Sequence, residues 1–560
     1  MAVRQSADHD NAALLLAELL ADAWGQVSVS VYDSARLVSS VPWLSGHAAR
    51  LDYLCHEQAS DGTWGAPDGY AIVPTLSATE SLLAELRRPS ARQREQLTFA
   101  TDRGLTALHQ LLGTDLDGGR APDTIAVELV VPAMVANVNG HLHTLATEPA
   151  AGLDDRWAGA RLTCPPDLGP APATALIGEL ERGRPLPEKL WASIETLGSA
   201  ATEAPSIRPA WGAVAGSPAA TAAWLGSMAR HGHRGLAASE SVRYLEQLQA
   251  RCGGPVPAVM PITYFESAWV LNSLAAAGLP YEVPMPLLDR LEAALSATGA
   301  PAGPGIPVDA DDTAGVLCAL ARHGRLHRPD ALLHYRTDGY FTCFPDERTP
   351  STSTNAHILE ALGLYLHGRP AEGKRFGSAF HMVSNWLIDN QRADGSWQDK
   401  WHASPYYATV RCAAALAAHD GERSRHPLAR AVDWILETQR QDGSWGRWQG
   451  TIEETSYAVQ TIIRSRASSP ERDDVVVQAA ARGRAFLRTA NDPARYPGLW
   501  HAKDLYAPTA VIRAARLAAL HLSDELSTPD GASSLPAGSA EARPRLAVRP
   551  SPTATQADNG

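Results

Sequence analysis

Three aspartates stand within four positions of the segment "PGIPVDADDTAGVLCAL", residues 304–320. Asp309, Asp311 and Asp312 follow a proline-containing loop and precede an apolar run with helical spacing. They could start a helix, with Asp309 as its cap and the other two carboxylates in its first turn. They could also do acid chemistry, because mutual repulsion and burial raise the pKa of a carboxyl group and let a pair hold one proton. The cluster alone leaves both interpretations open.

The elements that position this cluster are predicted to be helices. Apolar residues recur at i, i+3, i+4 and i+7 in segments such as "NAALLLAELLADAW" and "APTAVIRAARLAALHL", whereas alternating strand patterns are almost absent. Gly, Pro and Asp interrupt these segments at short intervals. The sequence therefore predicts an all-α fold of medium helices and tight loops. The Pro-, Ser- and Ala-rich segment 527–560 lacks this periodicity and is predicted to be disordered.

A short pattern recurs after three of these helices. "QRADGSWQDKW" begins at residue 391, "QRQDGSWGRW" at residue 439, and a weaker copy, "EQASDGTWG", at residue 57. Asp-Gly favours a turn with a left-handed residue, and Gln and Trp can tie the end of one helix to the start of the next. The spacing between the copies that begin at residues 391 and 439 matches the length of two helices and two loops, which indicates a closed or stacked α/α array. Trp397 and Trp445 are accordingly interpreted as structural.

Composition narrows the class of partner. The formal charge is −12, so nucleic acid is not an expected partner, and an anionic substrate would need a local basic patch or a divalent cation. No apolar run reaches the roughly 18 residues of a membrane span, and the N-terminus lacks the apolar core of a signal peptide. We expect no transmembrane segment and a cytoplasmic location.

The "DADDT" motif and the repeats together resemble the DxDD motif and QW repeats of the class II terpene cyclases. Further blocks resemble those of the bacterial diterpene cyclases of copalyl diphosphate synthase type, and the resemblance covers about Ser28 to Leu520. These blocks are "SVSVYDSARLV", "VELVVPAM", "GSPAATAAWLG", "PITYFESAW" and "LWHAKDLYAPTAVIRAA". The resemblance implies two α/α-barrel domains, called β and γ, with the active site in a hydrophobic cavity between them.

This resemblance implies a division of the chain. Residues 1–27 are expected to form an N-terminal helix that packs on the β domain, and residues 28–272 a γ-like barrel. Residues 273–526 are expected to form the β-like barrel with DxDD and two QW repeats, followed by the tail 527–560.

The resemblance also implies a reaction. Geranylgeranyl diphosphate folds in the cavity, Asp311 protonates its terminal alkene as general acid, and Asp309 and Asp312 support that acid. Two rings then close by attack of alkenes on the cation, and the diphosphate is retained. Asn355, in "STSTNAHILEAL", is expected to orient the acid, with a helix cap as the alternative.

Other candidate site residues come from the same resemblance. Aromatic faces stabilise cations, and the residues expected to line the cavity are Tyr264, Phe265, Trp269, Trp401, Tyr406, Trp500 and Tyr506, each of which could instead be ordinary core. Lys503 and Lys189 are candidates for diphosphate contact, with surface lysines as the alternative. Mg²⁺ is implied as a cofactor, but no ligands for it can be named. A class I terpene synthase or a phosphatase is the expected downstream partner.

Two positions depart from the plant enzymes that form the ent-copalyl skeleton. Those enzymes carry a His and an Asn that position the water taking the final proton. The matching stretches here, "WASIE" and "VPAVM", place Ala192 and Ala258 there. We therefore expect a product other than simple ent-copalyl diphosphate: a rearranged halimadane or clerodane type, or a labdane of other stereochemistry.

Several alternatives remain at this level. Farnesyl diphosphate could give a drimane-type product with the same acid. A class I synthase needs DDxxD, and "LDDRWAG" and "RDDVVVQ" lack its last aspartate. A triterpene cyclase usually has more repeats than this sequence shows and an apolar membrane-docking segment that it does not show, so this alternative is disfavoured. An α/α-toroid glycosidase would use the paired carboxylates on sugars, and a non-catalytic helical scaffold would use only the repeats.

Overall fold

The computed structural model describes residues 2–89, 93–113, 121–232, 235–347, 349–490 and 496–527, and the side chains from His9 onwards. Nearly all of the predicted tail therefore lies outside the described residues. Within these ranges no helix is both long and apolar enough to cross a membrane.

The α-helices of these ranges are α1 Ala2–Ala21, α2 Val31–Ser40, α3 His47–His56, α4 Ile72–Leu86, α5 Arg94–Gly113, α6 Val127–Leu145, α7 Ala171–Glu181, α8 Ser199–Thr202, α9 Pro218–Arg230, α10 Leu236–Cys252, α11 Thr263–Ala276, α12 Met285–Ala294, α13 Ala310–Arg322, α14 Thr352–Gly368, α15 Gly373–Asp389, α16 Pro405–His419, α17 Arg425–Glu437, α18 Ile452–Ser465, α19 Asp473–Thr489 and α20 Thr509–Leu526. The strands are β1 Ala300–Pro301, β2 Val308–Asp309, β3 Trp500–His501 and β4 Leu505–Tyr506. β1 pairs with β2 and β3 with β4, both antiparallel.

Six helices form a closed ring in the C-terminal half, the second ring. α11, α13, α14, α16, α18 and α20 contact one another in that order, and α20 closes the ring on α11. The remaining helices of this half, α12, α15, α17 and α19, pack against its outside. α1 also lies outside, against α11 and α20.

The N-terminal half also forms a closed ring, which we call the first ring because it comes first in the chain. α2, α4, α6, the 3-10 helix Glu188–Thr196 and α9 contact in order, and α9 returns to α2. The prediction of an all-α fold with two α/α barrels is confirmed. The predicted boundary between residues 272 and 273 falls inside the continuous helix α11, which packs in the second ring. The division between the rings therefore lies before Thr263.

The repeated turns close the outer corners of the rings. In the copy at 391–401, Gln391 Nε2 donates to Gly395 O and Pro427 O, both at 2.8 Å, and Trp397 Nε1 donates to Leu387 O at 2.8 Å. Gln439 with Trp445, and Gln58 with Trp64, make the same bonds to the equivalent backbone oxygens. All three indoles are fully buried. The repeat therefore ties one outer helix to the next outer helix along the chain: α15 to α17, α17 to α19 and α3 to α5.

The hairpin formed by β3 and β4 lies between the rings. Backbone oxygens of the hairpin and of the residue after it accept from the segments that lead into two helices of the first ring: Ile125 N–H, before α6, donates to Ala502 O at 3.1 Å, and Ser28 N–H, before α2, donates to Ala507 O at 3.1 Å. Trp500 and Tyr506 belong to the apolar core of the second ring. The backbone of this segment is thus bonded to the first ring, while its aromatic side chains pack in the second.

Candidate active site

The aspartate triplet begins α13. Asp309 ends β2 with extended backbone and caps the helix, since its carboxylate Oδ1 accepts the backbone N–H of Asp312 at 2.8 Å. Asp311 and Asp312 lie in the first turn. Pairing of β2 with β1 fixes the entry of the chain into the helix. The triplet therefore does cap a helix, and its members lie in two environments: Asp309 and Asp312 are buried, and Asp311 is partly exposed.

Asp309 and Asp312 form the buried part of the triplet. Burial, together with the charge of Asp311, raises the pKa of Asp309 to about 7. Burial, together with the charge of Asp309, raises the pKa of Asp312 well above its usual value. Asp312 Oδ1 is buried and has no hydrogen-bond partner among the described residues. This pair therefore favours protonation near neutral pH, which lowers the negative charge beside Asp311.

Asp311 has a different environment. Its side chain remains 15% exposed, and its Oδ1 lies 2.8 Å from His357 Nδ1 on α14. The imidazole is buried, with its ring edge-on to Trp269 at a centroid distance of 5.0 Å. A carboxyl that is accessible on one side and fixed by a single hydrogen bond on the other has the geometry of a general acid.

The structure differs from the sequence expectation about Asn355. Its Oδ1 accepts from Phe341 N–H at 2.9 Å, and its Nδ2 donates to Phe341 O and Ser351 O, both at 2.8 Å. The amide is fully used in clamping the preceding loop and makes no bond to Asp311. His357, two residues later on α14, contacts the acid in its place. Residues two positions apart on a helix point to nearly opposite faces, so only one of Asn355 and His357 can reach α13.

Aromatic side chains pack next to Asp311 and its partner His357. They form what we call the aromatic cage: Phe265, Trp269, Tyr407, Trp500 and Tyr506. Ring centroids are 4.5 Å apart for Phe265–Trp269, 5.3 Å for Phe265–Trp500, 4.6 Å for Tyr407–Trp500 and 6.5 Å for Trp500–Tyr506. Trp269 Nε1 donates to Tyr407 Oη at 2.9 Å.

The charges of the aspartate triplet affect the pKa values of two tyrosines of the cage. Burial raises the pKa of Tyr506, and the charges of Asp312 and Asp311 add to that rise. Burial also raises the pKa of Tyr407, with a contribution from Asp311. Four of the predicted cavity residues, Phe265, Trp269, Trp500 and Tyr506, are therefore brought together at the acid.

The other predicted aromatic residues lie outside the cage. Tyr406 packs against Trp434 at 4.7 Å, and Tyr407, the next residue on α16, takes the inward position. Trp401 is covered by the ammonium group of Lys400, 4.9 Å from its ring centroid. Tyr264 is half-buried at the start of α11, where its backbone N–H donates to Ala302 O. The helical pattern of "SPYYATV" allowed either tyrosine to face inward, and the choice depended on where α16 began.

The two lysines predicted to contact diphosphate both have protein partners. Lys503 Nζ is buried, 2.7 Å from Glu195 Oε1 and 2.9 Å from Ser217 Oγ. Its charge is therefore balanced inside the first ring. Lys189 Nζ donates to Pro345 O and Asp346 O, both at 2.9 Å, and so ties the first ring to the loop before α14. Both contacts give these lysines a structural role.

The two predicted product-determining alanines lie in different settings. Ala258 is buried in the same apolar cluster as Phe265 and Trp269. Ala192 is half-buried on the 3-10 helix that also carries Glu195. Among the described residues no group of three His, Cys, Asp or Glu side chains could hold a metal ion, so no ligand set for Mg²⁺ can be named.

Comparison with known proteins gives the family. Residues 346–505 match the model of the squalene-hopene cyclase C-terminal domain. An ent-copalyl diphosphate synthase from Streptomyces strain KO-3988 is 44% identical over 91% of this chain and 95% of its own length. The chain belongs to the class II terpene cyclases. A labda-7,13-dienyl diphosphate synthase from Streptomyces clavuligerus is 40% identical over 92% of each protein, so the chain is a class II diterpene cyclase.

Solved structures agree with this assignment. The ent-copalyl diphosphate synthase from Streptomyces platensis is 53% identical, with a TM-score of 0.85 over 92% of this chain and 99% of that one. The ent-copalyl diphosphate synthase from Arabidopsis thaliana is 17% identical with a TM-score of 0.52, and shares the fold. The cyclase therefore has the two-barrel architecture of its class.

Proposed function

We propose that this class II cyclase converts geranylgeranyl diphosphate into a bicyclic diterpenyl diphosphate, with Asp311 as the general acid. The observation that carries the proposal is the Asp311–His357 contact at 2.8 Å beside the aromatic cage. Asp309 and Asp312 support the acid by sharing a proton between buried carboxyls. His357 takes the orienting role that the sequence expectation gave to Asn355.

The first step is the transfer of a proton from Asp311 to the terminal alkene. His357 Nδ1–H donates to Asp311 Oδ1, which leaves Oδ2 to carry the proton that is given up. The same hydrogen bond stabilises the carboxylate that remains after the transfer. Water must be kept from the cation, and the buried rings of the cage both exclude it and present negative π faces.

Ring closure follows without loss of the diphosphate. Two alkenes attack the cation in turn, and a proton is then lost to a group other than Ala192 or Ala258, since neither methyl can accept one. The retained diphosphate leaves the product reactive toward ionisation or hydrolysis. A class I terpene synthase or a phosphatase is therefore the proposed consumer of this product.

The identity of the product is the finer part of the proposal. Ala192 and Ala258 favoured a rearranged or differently configured skeleton, whereas the two similar bacterial enzymes named ent-copalyl diphosphate synthase favour ent-copalyl diphosphate. The bacterial relatives are the better guide, because they are 44% and 53% identical to this chain, whereas the plant enzyme is 17% identical. Ent-copalyl diphosphate is thus the proposed product, and the second candidate is a rearranged halimadane or clerodane type or a labdane of other stereochemistry.

One incubation tests the substrate and the product together. Purified enzyme is given geranylgeranyl or farnesyl diphosphate, the products are dephosphorylated, and the alcohols are separated by chiral gas chromatography. We expect ent-copalol from the C20 substrate and little turnover of the C15 substrate. A rearranged alcohol, or a labdane alcohol of other stereochemistry, would select the second candidate. Faster turnover of farnesyl diphosphate would select the drimane alternative, and no turnover of either would contradict the proposed function.

The Mg²⁺ requirement is a separate proposal. Mg²⁺ binds through substrate phosphates more readily than through dedicated side-chain cages, and the described side chains offer no such cage. Turnover should therefore fall when EDTA is added and recover with MgCl₂, while the melting temperature without substrate stays constant. A melting temperature that falls with EDTA would indicate a protein-bound metal instead.

A further inference from the structure

Glu453 is a buried carboxylate in contact with the aromatic cage. It lies in the first turn of α18, and three donors meet at its Oε1. Trp500 Nε1 is 2.7 Å away, Tyr457 Oη 3.0 Å and His402 Nε2 3.2 Å. The side chain is only 4% exposed.

The roles of these groups follow from their chemistry. The indole N–H can only donate. His402 Nδ1 accepts the backbone N–H of Ser404 at 3.0 Å, so the proton of the neutral imidazole is on Nε2 and is directed at Glu453. Three donors on one oxygen match an ionised carboxylate, and the N-terminus of α18 favours the same charge. Glu453 thus places a negative charge directly behind Trp500.

Glu453 is linked to the other rings of the cage through Trp500 and His402. Trp500 packs against Tyr407 and Phe265, and His402 stacks on Tyr407 at 4.6 Å with an interplanar angle of 21°. Tyr407 in turn accepts from Trp269, which packs on His357. Glu453 is therefore joined to the rings around the acid while its own oxygen is occupied by their donors.

We infer that Glu453 is a positioning residue that acts through Trp500, making the indole face more negative so that it stabilises the carbocations formed after protonation. An N–H bonded to a carboxylate leaves electron density on the ring, and the attraction of a cation to an aromatic face depends on that density. This inference rests on the proposed function, because it needs a cationic intermediate. It adds a second charge to the site, held in place permanently.

The test compares two adjacent glutamates. Glu453→Gln keeps the shape and an accepting oxygen but removes the charge. Glu454→Gln is the matched control, because Glu454 is equally buried on the same turn and bonds Ser404 Oγ, Arg447 N–H and Thr451 Oγ rather than an aromatic ring. Turnover of geranylgeranyl diphosphate gives kcat and KM for each variant, with the melting temperature measured in parallel.

We expect Glu453→Gln to lower kcat about tenfold with KM within about twofold of wild type, and Glu454→Gln to leave kcat within about twofold. Trp500→Phe keeps a phenyl face but removes the N–H, and should itself lower kcat about tenfold. In the Trp500→Phe background, Glu453→Gln should lower kcat by less than about threefold, because the N–H through which Glu453 acts is already absent.

Three results would overturn the inference: a wild-type kcat in Glu453→Gln, equal losses in both glutamate variants, or multiplicative losses in the double variant. If Glu453→Gln does not fold, a wild-type kcat in Trp500→Phe overturns it and a tenfold loss supports it. A wild-type enzyme that turns over no prenyl diphosphate would instead contradict the proposed function.

Discussion

Asp311 and Glu453 are both carboxyl groups at the edge of the aromatic cage, and the protein holds them in different ways. Within the described part of the chain, Asp311 is 15% exposed and has one hydrogen bond from a histidine, whereas Glu453 is 4% exposed and accepts from three donors on a single oxygen. Hydrogen bonds to the charged form stabilise that form. A carboxyl with few donors can hold and release a proton, and one with many donors remains a fixed charge.

The largest effect should come from the acid itself. Asp311→Asn keeps the shape and removes the transferable proton, so turnover of geranylgeranyl diphosphate should fall by about 10³-fold or more. The melting temperature should change little, because Asp311 caps nothing and is partly exposed. Turnover within tenfold of wild type would remove Asp311 from the role of general acid.

The orienting histidine should give the next largest effect. His357→Phe keeps an aromatic ring against Trp269 and removes Nδ1, so kcat should fall by about 100-fold while KM changes little. Asn355→Ala is the contrasting variant. It breaks the clamp on Phe341 and Ser351, and should lower stability by about 2 kcal/mol in denaturant unfolding while retaining most of the kcat of the folded fraction. The opposite pattern would restore the sequence expectation for Asn355.

The buried pair should give the smallest effect, visible in the pH dependence of stability. The folded-state pKa of Asp309 is raised to about 7 from 3.8, so its protonated form stabilises the fold, and that stabilisation is lost as pH rises from about 4 through 7. Asp309→Asn keeps a capping side chain and cannot ionise. Its melting temperature relative to wild type should therefore rise by about 2 °C or more between pH 5 and pH 8. A difference that is constant or falls with pH would contradict the protonated pair.

Much of this architecture was predictable from local patterns. The 3.6-residue periodicity predicted the helices, the recurring Gln and Trp predicted the α/α array, and the resemblance of "DADDT" placed the acid. These features depend on neighbours in sequence, which is why they can be read there.

The side chains that complete the site depend on smaller differences. Asn355 and His357 are two residues apart on one helix, and Tyr406 and Tyr407 are adjacent, so the choice within each pair required the rotation of the helix about its axis. Lys503 looked available for diphosphate because nothing in "KDLY" shows that it points into the first ring, where Glu195 neutralises it. Glu453 was missed because its significance comes from Trp500 and His402, each about 50 residues away.

The central claim is that a proton delivered by Asp311 begins the cyclisation. Incubation of the enzyme with geranylgeranyl diphosphate in D₂O, followed by dephosphorylation and mass spectrometry, tests it most directly, because the carboxyl proton exchanges with solvent. The wild-type bicyclic alcohol should carry one deuterium on the carbon of the former terminal alkene, and Asp311→Asn should form no such alcohol. A bicyclic product without deuterium, or a labelled product from Asp311→Asn at the wild-type rate, would contradict it.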